Sequence, residues 1–247
     1  MKTVLITGAS RGIGAATAVL AAQKGYNVAV NYLKNKEAAE KTVTEILNLG
    51  GKAVAFQADV SKEKEVIDLF KNIVSHFGKI DTLVNNVGIL ENQSRLDNLK
   101  MDRLERVINT NIFSCFICSK EAIKQMSTAY GGNGGAIVNV SSIASKTGAP
   151  NEYIDYAATK GAIDALTTGL SKEVANEGIR VNAVRPGFIY TDIHADGGEP
   201  NRVERLKDSI PMKRGGSSTE VANAILWLLS DEASYVTGSF IDIAGGK

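Results

Sequence analysis

Tyr156 and Lys160 stand four residues apart in Tyr156-Ala157-Ala158-Thr159-Lys160. On a helix, that spacing puts both side chains on one face. A free phenol titrates near ~10, too high for a base at neutral pH, and a neighbouring ammonium stabilises the phenolate and lowers that value. The pair therefore reads as a general acid and base for a carbonyl or alcohol oxygen, a role worth about 10²–10⁴ in rate. Tyr and Lys fall four apart in many helices, so the pair needs a companion. One lies at Thr7-Gly8-Ala9-Ser10-Arg11-Gly12-Ile13-Gly14. An apolar run leads into these glycines and a helical pattern leaves them. Glycines let a backbone approach a pyrophosphate, and a helix start offers free N–H groups and the positive end of its dipole.

Both groups need a frame that brings them together. Seven short runs rich in β-branched residues predict strands: Thr3–Thr7, Asn27–Asn31, Ala53–Phe56, Asp81–Val84, Ala136–Val140, Arg180–Val184 and Ser239–Ile243. Helical patterns lie between them at Gly12–Gly25, Lys36–Leu49, Lys62–Phe77, Lys100–Met126, Ile154–Asn176 and Thr219–Leu229. Continuous apolar strands alternating with helices imply a parallel sheet covered on both faces. The expected architecture is α/β: a single-domain, Rossmann-type, doubly wound parallel sheet of about seven strands over residues 1–247. Two segments read as irregular. Ser127–Gly135 is a glycine-rich surface loop, and Ile189–Ser209 a lid-like segment after the sixth strand, where open α/β sheets bind ligands.

Composition narrows the function further. The 247 residues carry a formal net charge of +1 with no block of like charges, which gives no argument for nucleic acid or an anionic membrane. Two cysteines, Cys115 and Cys118, are too few for a disulfide scaffold and favour a reducing compartment. No signal peptide and no apolar run long enough to span a bilayer is evident, so a soluble, cytoplasmic protein is expected.

The glycine turn resembles the T-G-x-x-x-G-x-G of the short-chain dehydrogenase/reductase family, in its short single-domain branch. Further residues carry the resemblance along the whole chain: Ala58-Asp59-Val60 after the third strand, Asn85-Asn86-Val87-Gly88 after the fourth (Val in place of the usual Ala), the Tyr156–Lys160 pair, and Pro186-Gly187 after the sixth. The resemblance implies an NAD(P)-dependent oxidoreductase that moves a hydride between the nicotinamide and a ketone or secondary alcohol.

It also implies roles. Gly8, Ser10, Arg11, Gly12, Ile13, Gly14, Asn31, Asn86 and Gly88 would hold the cofactor, with Asp59 and Val60 at the adenine. Pro186, Gly187, Ile189 and Thr191 would hold the carboxamide, and Tyr156 and Lys160 the nicotinamide ribose. The serine that bonds the substrate carbonyl falls on Ser141-Ser142. The second of such a pair is the family's usual one, which favours Ser142. The interval from Ser142 to Tyr156 is one residue longer than usual, which keeps Ser141 as the alternative. The fourth catalytic position falls on Asn109-Thr110-Asn111, where the family pattern points to Asn111, holding a water between Lys160 and solvent.

The second strand ends Val30-Asn31-Tyr32-Leu33 without the carboxylate that grips a ribose 2′-hydroxyl in NAD-selective enzymes. Arg11 lies in the glycine turn and Lys34 near it, so NADP(H) is expected to be preferred, with NAD(H) still usable through Asn31. The substrate stays open between a sugar, polyol or small carbonyl compound, as in glucose-dehydrogenase-like members, and a 3-oxoacyl thioester. Reductases of the latter kind tend to carry basic residues where this chain reads Ser127-Thr128-Ala129 and Asn176-Glu177-Gly178. A protein of another class, sensing nucleotide without turnover, would not need Ser, Tyr and Lys together. A sugar-nucleotide epimerase would space its glycines differently and add a larger C-terminal domain. Family members of this size are usually homotetramers, and the apolar Ile112–Ile117 and Phe240–Ala244 agree with that.

Other residues are expected to be structural. Cys115 and Cys118 lie mid-helix without a second pair, and no histidine spacing suggests a metal. Trp227 reads as core. His76 is isolated; His194 is too, but its place in the lid-like segment leaves substrate contact open.

Overall fold

The computed structural model describes residues 1–247. Seven parallel strands form one sheet: β1 (Thr3–Ile6), β2 (Asn27–Tyr32), β3 (Lys52–Gln57), β4 (Thr82–Asn85), β5 (Gly135–Val140), β6 (Ile179–Pro186) and β7 (Phe240–Ile243). Their order is β3-β2-β1-β4-β5-β6-β7. The chain builds outward from β1 in one direction and then, from β4, in the other. The switch point between β1 and β4 opens a crevice at the carboxyl ends of the strands.

Side-chain alternation along each strand feeds two cores. On β1, Val4 and Ile6 join one cluster, with Ala18 and Ala21 of α1 (Gly12–Gln23), Ile46 of α2 (Lys36–Asn48) and Ile225 of α10 (Ser218–Leu229). Leu5, between them, joins the other, with Phe70 of α3 (Glu63–Phe77) and Leu170 of α7 (Ile154–Glu173). All four apolar or polar side chains of β1 are buried, which is why the strand reads as a continuous run rather than an alternating one.

The remaining helices depart from expectation in two places. Lys100–Met126 is not one regular helix: α4 (Met101–Ile108) and α5 (Ser114–Met126) flank a π-helical turn at Asn109–Phe113. Such turns cluster at functional sites because they re-aim side chains. Ile189–Ser209 is not irregular: it contains the short helices α8 (Ile193–Asp196) and α9 (Arg202–Leu206) and a 3-10 turn at Lys207–Ser209. A further short helix, α6 (Ala144–Thr147), follows β5. Trp227 is not core: it is 39% exposed on α10, on the side away from the buried Ile225 and Leu228. No helix is long and apolar enough to cross a membrane.

Candidate active site

The glycine turn between β1 and α1 is held from both sides by asparagines. Asn31 of β2 accepts from the Gly8 N–H at 3.2 Å and donates to the Ala58 carbonyl at 3.1 Å. Asn86 donates through Nδ2 to the carbonyls of Thr7 (2.9 Å) and Gly8 (3.1 Å), and its own N–H meets Thr7 Oγ1 at 2.9 Å. Asn31 is 1% exposed and both ends of its amide are engaged within the protein, so it does not reach the cleft as the sequence suggested. It shapes the turn, and Tyr32, Leu33, Lys34 and Asn35 line the cleft instead.

Two glycines are demanded by space. Gly8 has φ +62, in the left-handed region. A Cβ on Gly14 would lie 2.5 Å from the Gly8 carbonyl oxygen and 2.6 Å from Asn86 Nδ2. Gly14 thus packs α1 against the turn rather than facing the cleft, which Gly8, Ser10, Arg11, Gly12 and Ile13 line. Arg11 is engaged by Asp196 of α8, with Asp192 at 3.9 Å. Asp59 caps its own turn, accepting from the N–H (3.0 Å) and hydroxyl (2.6 Å) of Ser61, and Val60 is buried.

From this turn a cleft of about 770 Å³ runs along the strand ends past Asn86, Gly88, Ser142, Tyr156 and Lys160 to Pro186, Gly187, Ile189 and Thr191. That size suits a dinucleotide and a small substrate. The residues fit such a cofactor: Gly8 and Gly12 open the turn onto the cleft where phosphates would lie, and a Cβ on Gly88 would come 3.3 Å from Lys160 Nζ.

At the inner end, α7 carries Tyr156 and Lys160 on one face. Lys160 is 3% exposed, donates to the Val140 carbonyl at 2.7 Å, and lies 5.4 Å from the Tyr156 ring centroid. Burial pulls its pKa down to about 8, opposed by Cys115 and Asp164. Burial pushes the Tyr156 phenol up to about 12, opposed by Ser142. The sequence suggested a phenol lowered by its lysine. Burial thus acts on the phenol in the opposite sense to the lysine, and a protonated Tyr156 is the form that can give its proton to a carbonyl oxygen.

The serine pair divides. Ser142 is the one beside Tyr156, while Ser141 turns away toward Asp164 at 2.7 Å. Asn111 sits in the π-helical turn, 1% exposed. It accepts from the Ile89 N–H at 2.8 Å and donates to Thr159 Oγ1 at 3.2 Å. An added Cβ on Gly88 would lie 3.8 Å from its Oδ1 as well as 3.3 Å from Lys160 Nζ, so Asn111 stands close behind the lysine.

Several lining residues went unread in the sequence. Tyr153 caps the start of α7, just before the predicted helix, so helical spacing did not reach it. It is buried and donates to the Gly197 carbonyl at 3.2 Å. Arg202 of α9 stacks over Tyr153, 4.9 Å from its ring centroid, and is paired with Glu152 and Glu199. Nothing local marks it. His194, whose place in the lid-like segment left substrate contact open, lines the cleft. Cys115 and Cys118 are buried free thiols.

Comparison with known proteins agrees with this geometry. A family model described as Enoyl-(Acyl carrier protein) reductase matches residues 8–247. The chain is 60% identical over 247 residues, all of both chains, to an uncharacterized oxidoreductase, YgfF, of Escherichia coli. It is 41% identical to a 3-oxoacyl-acyl-carrier-protein reductase, FabG, of Staphylococcus epidermidis, across 99% of this chain and 98% of that one. A crystal structure of a short-chain type dehydrogenase/reductase from Mycobacterium marinum superposes with a TM-score of 0.93 at 32% identity, covering 99% of this chain and 94% of that one. The chain belongs to the short-chain dehydrogenase/reductase family and is an oxidoreductase of that family.

Proposed function

We propose that the protein transfers a hydride between NADP(H) and a ketone or secondary alcohol, with Tyr156 as acid and base. The observation that carries this reading is the placement of Tyr156, Ser142 and Lys160 at the inner end of the cleft that starts at the glycine turn. A nicotinamide dinucleotide bound there supplies or accepts the hydride. In reduction Tyr156 gives its proton to the carbonyl oxygen while Ser142 donates a hydrogen bond to the charge developing on it. Lys160 balances the phenolate left behind, and Asn111 holds the path by which the proton is replaced.

For the substrate we favour a free sugar, polyol or small carbonyl compound. Ser127 Oγ and Glu177 meet at 2.5 Å, so the two stretches where carrier-protein reductases tend to be basic form one patch here, with an acid in it. That patch lacks the positive charge that would draw in an acidic carrier protein. The 41% identity to FabG supports 3-oxoacyl thioesters as the second reading. The chemistry, in the cytoplasm, would be that of a homotetramer: Phe113 (49% exposed) and Phe116 (48%) lie on one helix face, and Trp227 and Tyr235 are exposed elsewhere.

The test is NADPH oxidation with a panel of free carbonyl compounds and 3-oxoacyl thioesters, for wild type and Tyr156→Phe. The variant should lose at least about 100-fold in kcat and keep its cofactor affinity within a few fold. Retention of roughly a tenth of the activity would remove Tyr156 from this role.

A further inference from the structure

Ser141 and Ser142 leave β5 on opposite sides, as successive residues of an extended chain do. Ser142 faces Tyr156. Ser141, 2% exposed, lies under α7, where its hydroxyl is 2.7 Å from Asp164 Oδ1 and 3.2 Å from the Lys160 carbonyl. Asp164 follows Lys160 by four residues, as Lys160 follows Tyr156, so the three stand in line on one face of α7. The other oxygen of Asp164 is held by Arg185 of β6, with Nε at 3.0 Å and Nη2 at 2.9 Å. Arg185 is fixed in turn by the Phe240 ring, 3.9 Å from its centroid, and by Asp242 at 3.6 Å. Asp242 itself takes Lys146 at 2.6 Å.

α7 therefore grips the end of β5 at two successive residues. Lys160 holds the Val140 carbonyl, and Asp164 holds the Ser141 hydroxyl. The next residue is Ser142. We propose that Asp164, anchored by Arg185, is a positioning residue of the active site: it fixes Ser142 through Ser141 and, one helical turn on from Lys160 along α7, places a carboxylate that opposes loss of the Lys160 proton. The inference rests on the reading of Tyr156, Ser142 and Lys160 given above.

The groups facing Lys160 are few. Tyr156 and Asp164 share its helix, and Cys115 approaches from α5, its thiol kept neutral by burial. Asn111 is polar but does not titrate. Among these Asp164 is the only carboxylate, and from β6 the Arg185 guanidinium is bonded to its Oδ2.

Asp164→Asn keeps an acceptor for Ser141 and removes the charge. If the charge matters, the alkaline limb of the kcat profile, where Lys160 loses its proton, moves to lower pH by roughly one unit. A ¹⁵N-lysine titration of the Lys160 ammonium by NMR should move by the same amount, and it reads Asp164 whether or not Tyr156 is the acid. Asp164→Ala should lose more kcat than Asp164→Asn, because it also frees Ser141. Ser141→Ala should lower kcat roughly tenfold with KM and cofactor affinity, followed by fluorescence, within about twofold. An unmoved limb with an unmoved ammonium titration in Asp164→Asn overturns the charge role. Wild-type kcat in Ser141→Ala overturns the positioning role, and that variant carries the test if Asp164→Asn does not fold. Activity retained in Tyr156→Phe would instead overturn the underlying reading.

Discussion

Arg103 grips Asp155 one residue before Tyr156, with Nε 2.8 Å from Oδ2 and Nη2 3.0 Å from Oδ1. The side chains are 10% and 2% exposed, and Arg103 also donates to the Asn92 carbonyl. The pair ties the first turn of α7 to α4 and to the loop after β4. Removing one partner leaves a buried, uncompensated charge, so Arg103→Met should cost about 3–5 kcal/mol by chemical denaturation. The double variant Arg103→Met/Asp155→Leu should regain most of that stability and still lose kcat, because Tyr156 is no longer held. A double variant as unstable as the single one would argue that the pair is not an isolated buried charge pair.

His194 makes the lid sensitive to acid. Its Nε2 lies 3.0 Å from the Ile189 carbonyl, which can only accept, so Nε2 carries the hydrogen and Nδ1 is bare. Nδ1 is buried without a partner, and burial holds the imidazole pKa below its usual 6.5. The unfolded chain therefore binds a proton near pH ~6.5 while the folded one does not. Stability falls as pH drops below that value and stops falling below the folded pKa. Between about pH 7 and pH 5.5, wild type should lose more thermal stability than His194→Leu. Equal losses in both would mean that the acid sensitivity lies elsewhere.

Much of this was legible beforehand, for identifiable reasons. All seven strands fall where the β-branched runs lie, because a parallel sheet buried on both faces needs continuous apolar strands. That Tyr156 and Lys160 share one face of α7 was legible because helical spacing is local. What failed was tertiary. Asn31 reads as a cofactor contact only until the Ala58 carbonyl is placed beside it. Trp227 reads as core from its apolar neighbours, but Ile225 and Leu228 take the buried face and leave it outside. Burial also raises the Tyr156 phenol, and spacing does not carry burial.

Gly14→Ala should disrupt the turn. The added carbon would meet the Gly8 carbonyl and the Asn86 amide, both within 2.6 Å and both fixed by hydrogen bonds. Neither can move without opening the turn. Overpacking of this kind costs about 1–3 kcal/mol, and dinucleotide affinity by fluorescence titration should fall at least roughly tenfold with it. Wild-type affinity in a folded variant would show that the turn can relax.

The proposed assembly makes Phe113 and Phe116 interface residues. Both are near half-exposed, three residues apart where the π-helical turn passes into α5. Phe113→Glu/Phe116→Glu should lower the mass seen by light scattering at micromolar concentration from tetramer to dimer, and Trp227→Glu should do so independently if α10 forms the second contact. A monomer mass for wild type would refute the assembly outright.

The proposed preference for NADP(H) rests on a competition at Arg11. It is 54% exposed and held by Asp196, with Asp192 at 3.9 Å. Exposed pairs of this kind contribute about 0–1 kcal/mol. A charge-assisted bond to a partly solvated 2′-phosphate contributes on the order of 1–3 kcal/mol. The guanidinium should therefore leave α8 for the phosphate, and no carboxylate at the end of β2 opposes it, since Asn31 is turned inward. Lys34 lines the same end of the cleft and adds to the attraction. Wild type should favour NADPH over NADH by roughly 5- to 150-fold in kcat/KM. Arg11→Ala should lose most of that preference by weakening NADPH while leaving NADH nearly unchanged. Asp196→Asn should strengthen NADPH binding slightly, because it frees Arg11. Steady-state kinetics with both cofactors on one carbonyl substrate measure all three, and equal efficiencies in wild type or an undiminished preference in Arg11→Ala would end the case for Arg11 as the phosphate ligand.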